Sequence, residues 1–281
     1  MPTMTSASEL PPFEYDSEAR RLPALDEFVE LLRYRDLIRL FVASSIKTRY
    51  KRSTLGVVWT LLNPLLTMLV LTIAFSNLFR GSLPNYPIYI LSGLIFWNFF
   101  NQTTILAMNS LIWGGSLLKR IYLPRTIFSV AAVGTGLVNV FLALVPMGII
   151  MLILGHPFRV ALLFLPVAIL IMAMFTLGVA LCVSTLAVFF TDVIDMYNVL
   201  LSALFYLTAV IYPKSILPEP YVHYLNLNPL YHLLECFRMP IYAGTLPSAD
   251  TITTAVLTAV VALAVGWLVF TQRADGLAYQ I

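Results

Sequence analysis

The sequence predicts an all-α integral membrane protein. Six transmembrane helices are expected, with an amphipathic interfacial helix at the N-terminus and short outer helices, re-entrant or interfacial, before the last span. Three observations carry this. Of the 281 residues, 59% are hydrophobic and only 11% charged, with a mean hydropathy of +0.86; a soluble domain carries about 25% charged residues. Six uncharged apolar runs follow one another, at or above the lengths that cross a hydrocarbon core. The cations are lopsided as well. With the N-terminus inside, thirteen of the 17 Lys and Arg face the cytoplasm, and Arg80, Arg159, Lys214 and Arg238 face out. That asymmetry is the one that orients membrane proteins.

Met1–Leu22 is polar and acidic, with neither an apolar core nor a basic leader. A disordered cytoplasmic tail (1–23) is expected there rather than a signal peptide. Residues 24–52 are expected to form cytoplasmic amphipathic helices. Leu25, Phe28, Val29 and Leu32 recur at i, i+3, i+4 and i+7, with Asp26, Glu27 and Glu30 opposite. Asp36 is placed to cap a second helix, Leu37–Tyr50, whose apolar residues wrap much of its circumference. Such segments lie in the interface plane or dock on a partner. Arg49, Lys51 and Arg52 then hold the start of the first span at the inner headgroups.

The membrane domain, 53–272, opens with the run Ser53–Phe79. The next runs lie within Gly81–Leu118, Thr126–Gly155, Val160–Thr191, Met196–Pro213 and Thr251–Gln272. Pro84 and Pro87 move the predicted start of the second helix to near Ile88. Met196–Pro213, roughly 27 Å as a helix, is barely long enough to span. Six spans return both termini to the cytoplasm and leave 273–281 as an inner tail. The segment 214–250 then lies outside. Asn228 is positioned to cap a helix with Pro229 at its first position. Leu230, Leu233, Leu234 and Phe237 make its apolar face, and His232, Glu235 and Arg238 the opposite one. Tyr221, Tyr224, Tyr231 and Tyr242 read as interfacial anchors.

Several kinds of chemistry are missing. No Gly-Lys dipeptide occurs, so the chain has no phosphate loop of the G-x-x-x-x-G-K-[ST] type. No ionisable residue lies in the middle of a predicted span, where a proton relay would sit; were the chain a transporter, its energy would come from elsewhere. His156, His223 and His232 are scattered, and Cys182 and Cys236 form no disulfide framework or metal site. No catalytic residue, metal or nucleic-acid partner is expected. Asp192 and Asp195 open the fifth span, as helix-capping carboxylates or as contacts for a cytoplasmic partner. Lys119, Arg120 and Arg125 bracket Ile121-Tyr122-Leu123-Pro124, which reads as a topology determinant or a docking knob. In span two, Tyr89, Phe96 and Trp97 neighbour Asn98, Asn101 and Gln102; span five carries Tyr197 and Tyr206. Aromatic faces suit the C–H face of a sugar, and amides and phenols its hydroxyls. Packing against lipid accounts for the aromatics equally well, but amides within a span want a partner helix or an aqueous path.

The ordered set Asp36-Leu37, Arg49-Tyr50-Lys51-Arg52-Ser53-Thr54-Leu55-Gly56-Val57-Val58-Trp59 and Asn63-Pro64-Leu65 resembles the opening of polysaccharide-exporting ABC transporter permeases. These are the type-2 export class that handles O-antigen, capsule and teichoic acid. The resemblance continues through Lys119–Pro124, Asp192, Ala209-Val210-Ile211-Tyr212-Pro213, and Asn228-Pro229-Leu230 with Arg238. One departure is Thr191, where the family often has Arg before the aspartate.

The resemblance implies a six-span permease acting as a homodimer with two cytoplasmic ATP-binding subunits, which would hold the ATP and Mg; this chain would carry no cofactor. The helix around Tyr34–Arg52, including Tyr34, Arg35, Asp36 and Arg39, and the loop with Lys119, Arg120, Ile121, Tyr122, Leu123 and Pro124 would meet those subunits. Tyr212, Pro213, Asn228, Pro229 and Tyr231 would belong to an outer gate region. An undecaprenyl-linked glycan would pass between protomers along Tyr89, Phe96, Trp97, Asn98, Asn101, Tyr197 and Tyr206, across the bacterial cytoplasmic membrane. The rival readings are a permease for a small lipid or drug, a membrane-embedded glycosyl- or phospho-transferase, and a scaffold. A transferase would need exposed acid/base carboxylates or metal ligands, and only Glu219, Glu235 and Asp250 lie outside.

Overall fold

In chain order the helices are α1 (Arg35–Tyr50), α2 (Val58–Phe75), α3 (Tyr86–Leu118), α4 (Thr126–Ile153), α5 (Leu165–Phe189), α6 (Val193–Leu207), α7 (Glu219–Leu227), α8 (Pro229–Tyr242) and α9 (Ala249–Gln272). A 3-10 turn, Val160–Phe164, leads into α5. The computed structural model describes residues 27, 30–51, 56, 58–77, 83–118 and 123–273, and no strand occurs among them. The predicted tail 1–23, most of the first amphipathic segment, Arg52–Leu55, Lys119–Tyr122 and the segment after 273 lie outside the described residues.

Among the described residues three stretches are long and apolar enough to cross a membrane: Thr126–Ile153, Val160–Phe189 and Ala249–Gln272. α3, with 33 residues, is about 50 Å long, more than a hydrocarbon core requires. It is the axis of the bundle, touching α2, α4, α5 and α8. Its Ile88, Phe96, Phe99, Phe100 and Met108 join Met172 and Phe175 of α5 and Leu234 and Phe237 of α8 in the main core. α9 lies along α5 at backbone distance. A Cβ on Gly266 would land on the Gly178 carbonyl, and one on Gly178 on the Ala262 backbone. Close approach of this kind supplies the van der Waals contact that holds helices together where lipid offers no hydrophobic incentive. α1 packs on α4, with Phe41 stacked on Phe128 at 5.5 Å between centroids.

The structure departs from the sequence reading at several element ends. α1 begins at Arg35, so Asp36 is not its cap. The Asp36 carboxylate instead sits 3.2 Å from Arg39 in the exposed first turn, a pairing that contributes little in water. α3 starts at Tyr86 rather than near Ile88, because Pro87 falls in the first turn, where no intrahelical N–H is needed. The fifth apolar run is helical only over Val193–Leu207, about 22 Å, and Thr208–Pro213 is turn and extended chain. Asp192 flanks α6 without a side-chain cap bond. Asn228, by contrast, caps α8 as expected: its Oδ1 accepts from the Leu230 N–H at 3.0 Å, and Pro229 follows at the first position.

Candidate functional site

Two polar regions stand inside this apolar bundle. The first surrounds the unwound segment after α6. Once α6 ends, its backbone carbonyls lose their helical partners, and buried carbonyls must find others. Side chains supply them. The Asn228 amide donates to Leu207 O (3.2 Å) and the Thr208 hydroxyl (3.2 Å). Arg238 donates through Nη1 to Ala209 O (3.3 Å) and through Nη2 to Val210 O (2.7 Å). Tyr86 donates to Ile211 O (2.8 Å) and Tyr89 to Tyr212 O (2.9 Å). The Tyr212 hydroxyl turns back onto Tyr206 O (2.6 Å).

Arg238 is the centre of this clamp. The sequence puts it on the polar face of α8, but it is only 2% exposed. Its Nη1 also reaches the Tyr89 hydroxyl (2.8 Å) and Glu235 (3.4 Å), and its guanidinium lies 4.0 Å from the Tyr89 ring centre. Ala209 takes a positive φ of 53° to make the turn, a strained conformation that the clamp holds. Gly93 of α3 lets the clamp close. A Cβ there would collide with Arg238 Nη2 and come within 2.8 Å of Val210 O.

The second region is a cavity of about 390 Å³ between α1, α2, α3 and α4. Arg49, Trp59, Asn63 and Gln102 form its exposed rim; Ile95, Phe99, Thr103, Gly136 and Val140 form its buried floor, with Asn98 and Asn139 half-buried between them. Asn98 and Gln102 stand about 18 and 24 Å from the start of α3, and Asn139 about 20 Å from the start of α4. Gly136 lets the floor form, because a Cβ there would meet the Thr103 hydroxyl and the Phe99 ring.

The cavity's polar groups are left over. The Thr103 hydroxyl is buried without a hydrogen-bond partner. Among the described residues the side chains of Arg49, Asn63, Asn98, Gln102 and Asn139 make no hydrogen bond or ion pair, and no Asp or Glu lines the cavity. An unpaired polar group away from water costs about 1–3 kcal/mol. That cost falls on the buried Thr103 hydroxyl, whereas Arg49, Asn63 and Gln102 at the exposed rim are open to water or a polar guest.

Other predicted residues are distributed unevenly. Tyr89, Phe96, Trp97 and Tyr197 are buried; Trp97 packs against Phe100 and Phe205. Of the candidate path, Asn98 lines the cavity, Tyr206 is exposed, and Asn101 is half-buried away from the cavity. Tyr212, Pro213, Asn228, Pro229 and Tyr231 gather around the clamp, with Tyr231 buried beside Ala209 and Leu225. Arg35, Asp36 and Arg39 are exposed, and Tyr34 packs half-buried toward Ile127 and Phe128. Leu123 and Pro124 are buried, while Lys119, Arg120, Ile121 and Tyr122 lie outside the described residues.

Sequence reasoning missed Asn139, a lone amide in a long apolar run, and used Asn63 only as part of a motif. It also set Glu27 on a polar face. Glu27 is buried, and its carboxylate accepts from the Thr126 hydroxyl (3.1 Å) and N–H (3.4 Å). It thereby caps α4, whose preceding Arg125 makes no cap bond.

Residues 36–242 match the model of the ABC-2 type transporter family. The chain is 30% identical over 254 residues to the O-antigen export system permease protein RfbA of Myxococcus xanthus, covering 90% of this chain and 98% of that protein. It is 23% identical to the polysialic acid transport protein KpsM of Escherichia coli, over 83% of this chain and 91% of the relative. It is 24% identical to the capsule polysaccharide export inner-membrane protein CtrC of Neisseria meningitidis, over 88% and 94%. With a match across both polar regions and most of the bundle, this chain belongs to the ABC-2 type transporter family.

Proposed function

We propose that the chain is the transmembrane permease subunit of an ABC exporter that moves a lipid-linked polysaccharide across the cytoplasmic membrane. The observation that carries this is the near full-length similarity to permeases named for O-antigen and capsule export. The chain crosses the membrane six times, with both termini inside, and works as a homodimer with two ATP-binding subunits. ATP and Mg belong to those subunits. The bias of Lys and Arg supports this orientation, and three stretches long and apolar enough to cross a membrane among the described residues support a chain that spans it several times. α1 and the loop 119–125 receive the push of ATP-driven closure. The Glu27–Thr126 contact ties the N-terminal segment to the helix that follows that loop, so both contacts move α4. The clamp around Arg238 forms the outer gate region.

The test is co-purification with an ATP-binding subunit followed by transport of a defined lipid-linked glycan into vesicles. ATP-dependent uptake is the expected result. An ATPase that answers to phospholipid but not to any lipid-linked glycan would overturn the polysaccharide reading. Tyr122→Ala is expected to uncouple ATP hydrolysis from uptake while leaving membrane insertion intact.

A further inference from the structure

We propose that the cavity between α1, α2, α3 and α4 is a binding site for the phosphate-bearing headgroup of a lipid-linked glycan. Arg49 takes the phosphate, and the amides of Asn63, Asn98, Gln102 and Asn139 take the sugar hydroxyls. This deepens the reading above and rests on it.

Four features carry the inference. Among the described residues the cavity's one charged side chain is a cation, with no carboxylate in the lining to neutralise it, so the complementary ligand is anionic. A guanidinium binds phosphate bidentately and strongly. The uncharged amides are without partners among the described residues, and each offers both a donor and an acceptor, which is what a polyhydroxylated ring requires. The Thr103 hydroxyl, 1% exposed and unpartnered, adds to the floor, and the Trp59 and Phe99 rings offer apolar faces to sugar C–H groups. About 390 Å³ lies within the range of small-molecule sites.

The fourth feature is the stripe above the rim. Trp59, Asn63, Leu66, Val70 and Ile73 follow one another at spacings of four and three along α2, on one helical face. All are exposed, Ile73 at 69%. An amphiphile seated with its phosphate at Arg49 therefore finds an apolar track for its isoprenoid chain directly beyond the rim. A water-soluble sugar phosphate would not need that track.

The site is tested on the full chain with its ATP-binding subunit in nanodiscs of neutral lipid. Four probes are titrated: a polyprenyl-diphosphate-linked oligosaccharide, sugar-free polyprenyl diphosphate, phosphatidylglycerol and inorganic phosphate. The expected order of affinity is the glycolipid first, then polyprenyl diphosphate, with phosphatidylglycerol and inorganic phosphate far weaker. Arg49→Gln is expected to weaken the two polyprenyl ligands at least about tenfold, with partial recovery in Arg49→Lys. Asn98→Leu with Asn139→Leu is expected to weaken only the sugar-bearing ligand. Unchanged glycolipid affinity in Arg49→Gln, or equal binding of phosphatidylglycerol, would overturn the site. Melting temperature and co-purification of each variant separate lost binding from lost folding. If export by the wild-type complex persists while the variants bind normally, the site fails and the function stands. If the wild-type complex exports no lipid-linked glycan, the function itself fails.

Discussion

Two arginines, one near the end of α1 and one in α8, meet opposite circumstances. Arg238 is 2% exposed and gives both its Nη groups to two backbone carbonyls, a phenol and a carboxylate, leaving only Nε without a partner. Arg49 is exposed at a cavity rim and has no partner among the described residues. The Tyr and Asn side chains around Arg238 are likewise committed to the chain itself, whereas the amides near Arg49 are not. The lesson is that a polar group in an apolar bundle is read by whether its hydrogen bonds close within the protein. Closed networks hold a backbone shape. Open ones are the candidates for ligand contact.

The comparison breaks first at Arg238. Arg238→Ala should orphan the Ala209 and Val210 carbonyls and Glu235, lowering stability by about 3–5 kcal/mol, measured as detergent-solubilised thermal unfolding. Arg238→Lys should recover only part of this, because an ammonium cannot span both carbonyls as a planar fork does. Next comes Gly93→Ala, where the new methyl meets Arg238 Nη2 and Val210 O. A loss of about 1–3 kcal/mol is expected, and a neutral result would mean that the clamp is looser than its distances indicate. Asn228→Ala removes the α8 cap and two further bonds, for about 1–2 kcal/mol. The smallest change in stability is expected at the other arginine. Arg49→Gln should stay within about 0.5 kcal/mol of wild type while glycan-dependent ATPase stimulation falls. A large loss of stability there would make Arg49 a second structural arginine and dissolve the contrast.

Much of the fold was legible because its causes are local. Long uncharged runs give helices wherever the backbone must bond to itself, and Asn228-Pro229 is a cap wherever it stands before a helix. The end of α6 was not legible. Apolar residues continue to Pro213, so hydropathy extends the helix, yet the chain unwinds at Thr208 where Asn228, Arg238, Tyr86 and Tyr89 donate to its carbonyls. Those four side chains come from α3, α8 and the residue that caps α8, segments far apart in sequence. The same reason hid the cavity. Asn98 and Gln102 were noticed as amides in a span, but Asn63 and Asn139 joined them only when α2 and α4 closed against α3.

The amino-acid sequence alone determined that the chain is a helical membrane protein, because hydrophobic length and residue type carry that information without neighbours. Which polar residues are satisfied and which are left facing a cavity was decided by the tertiary structure alone. A hydrogen bond needs its partner within about 3 Å, and here the partners lie as much as 158 residues apart, as Pro84 and Tyr242 do.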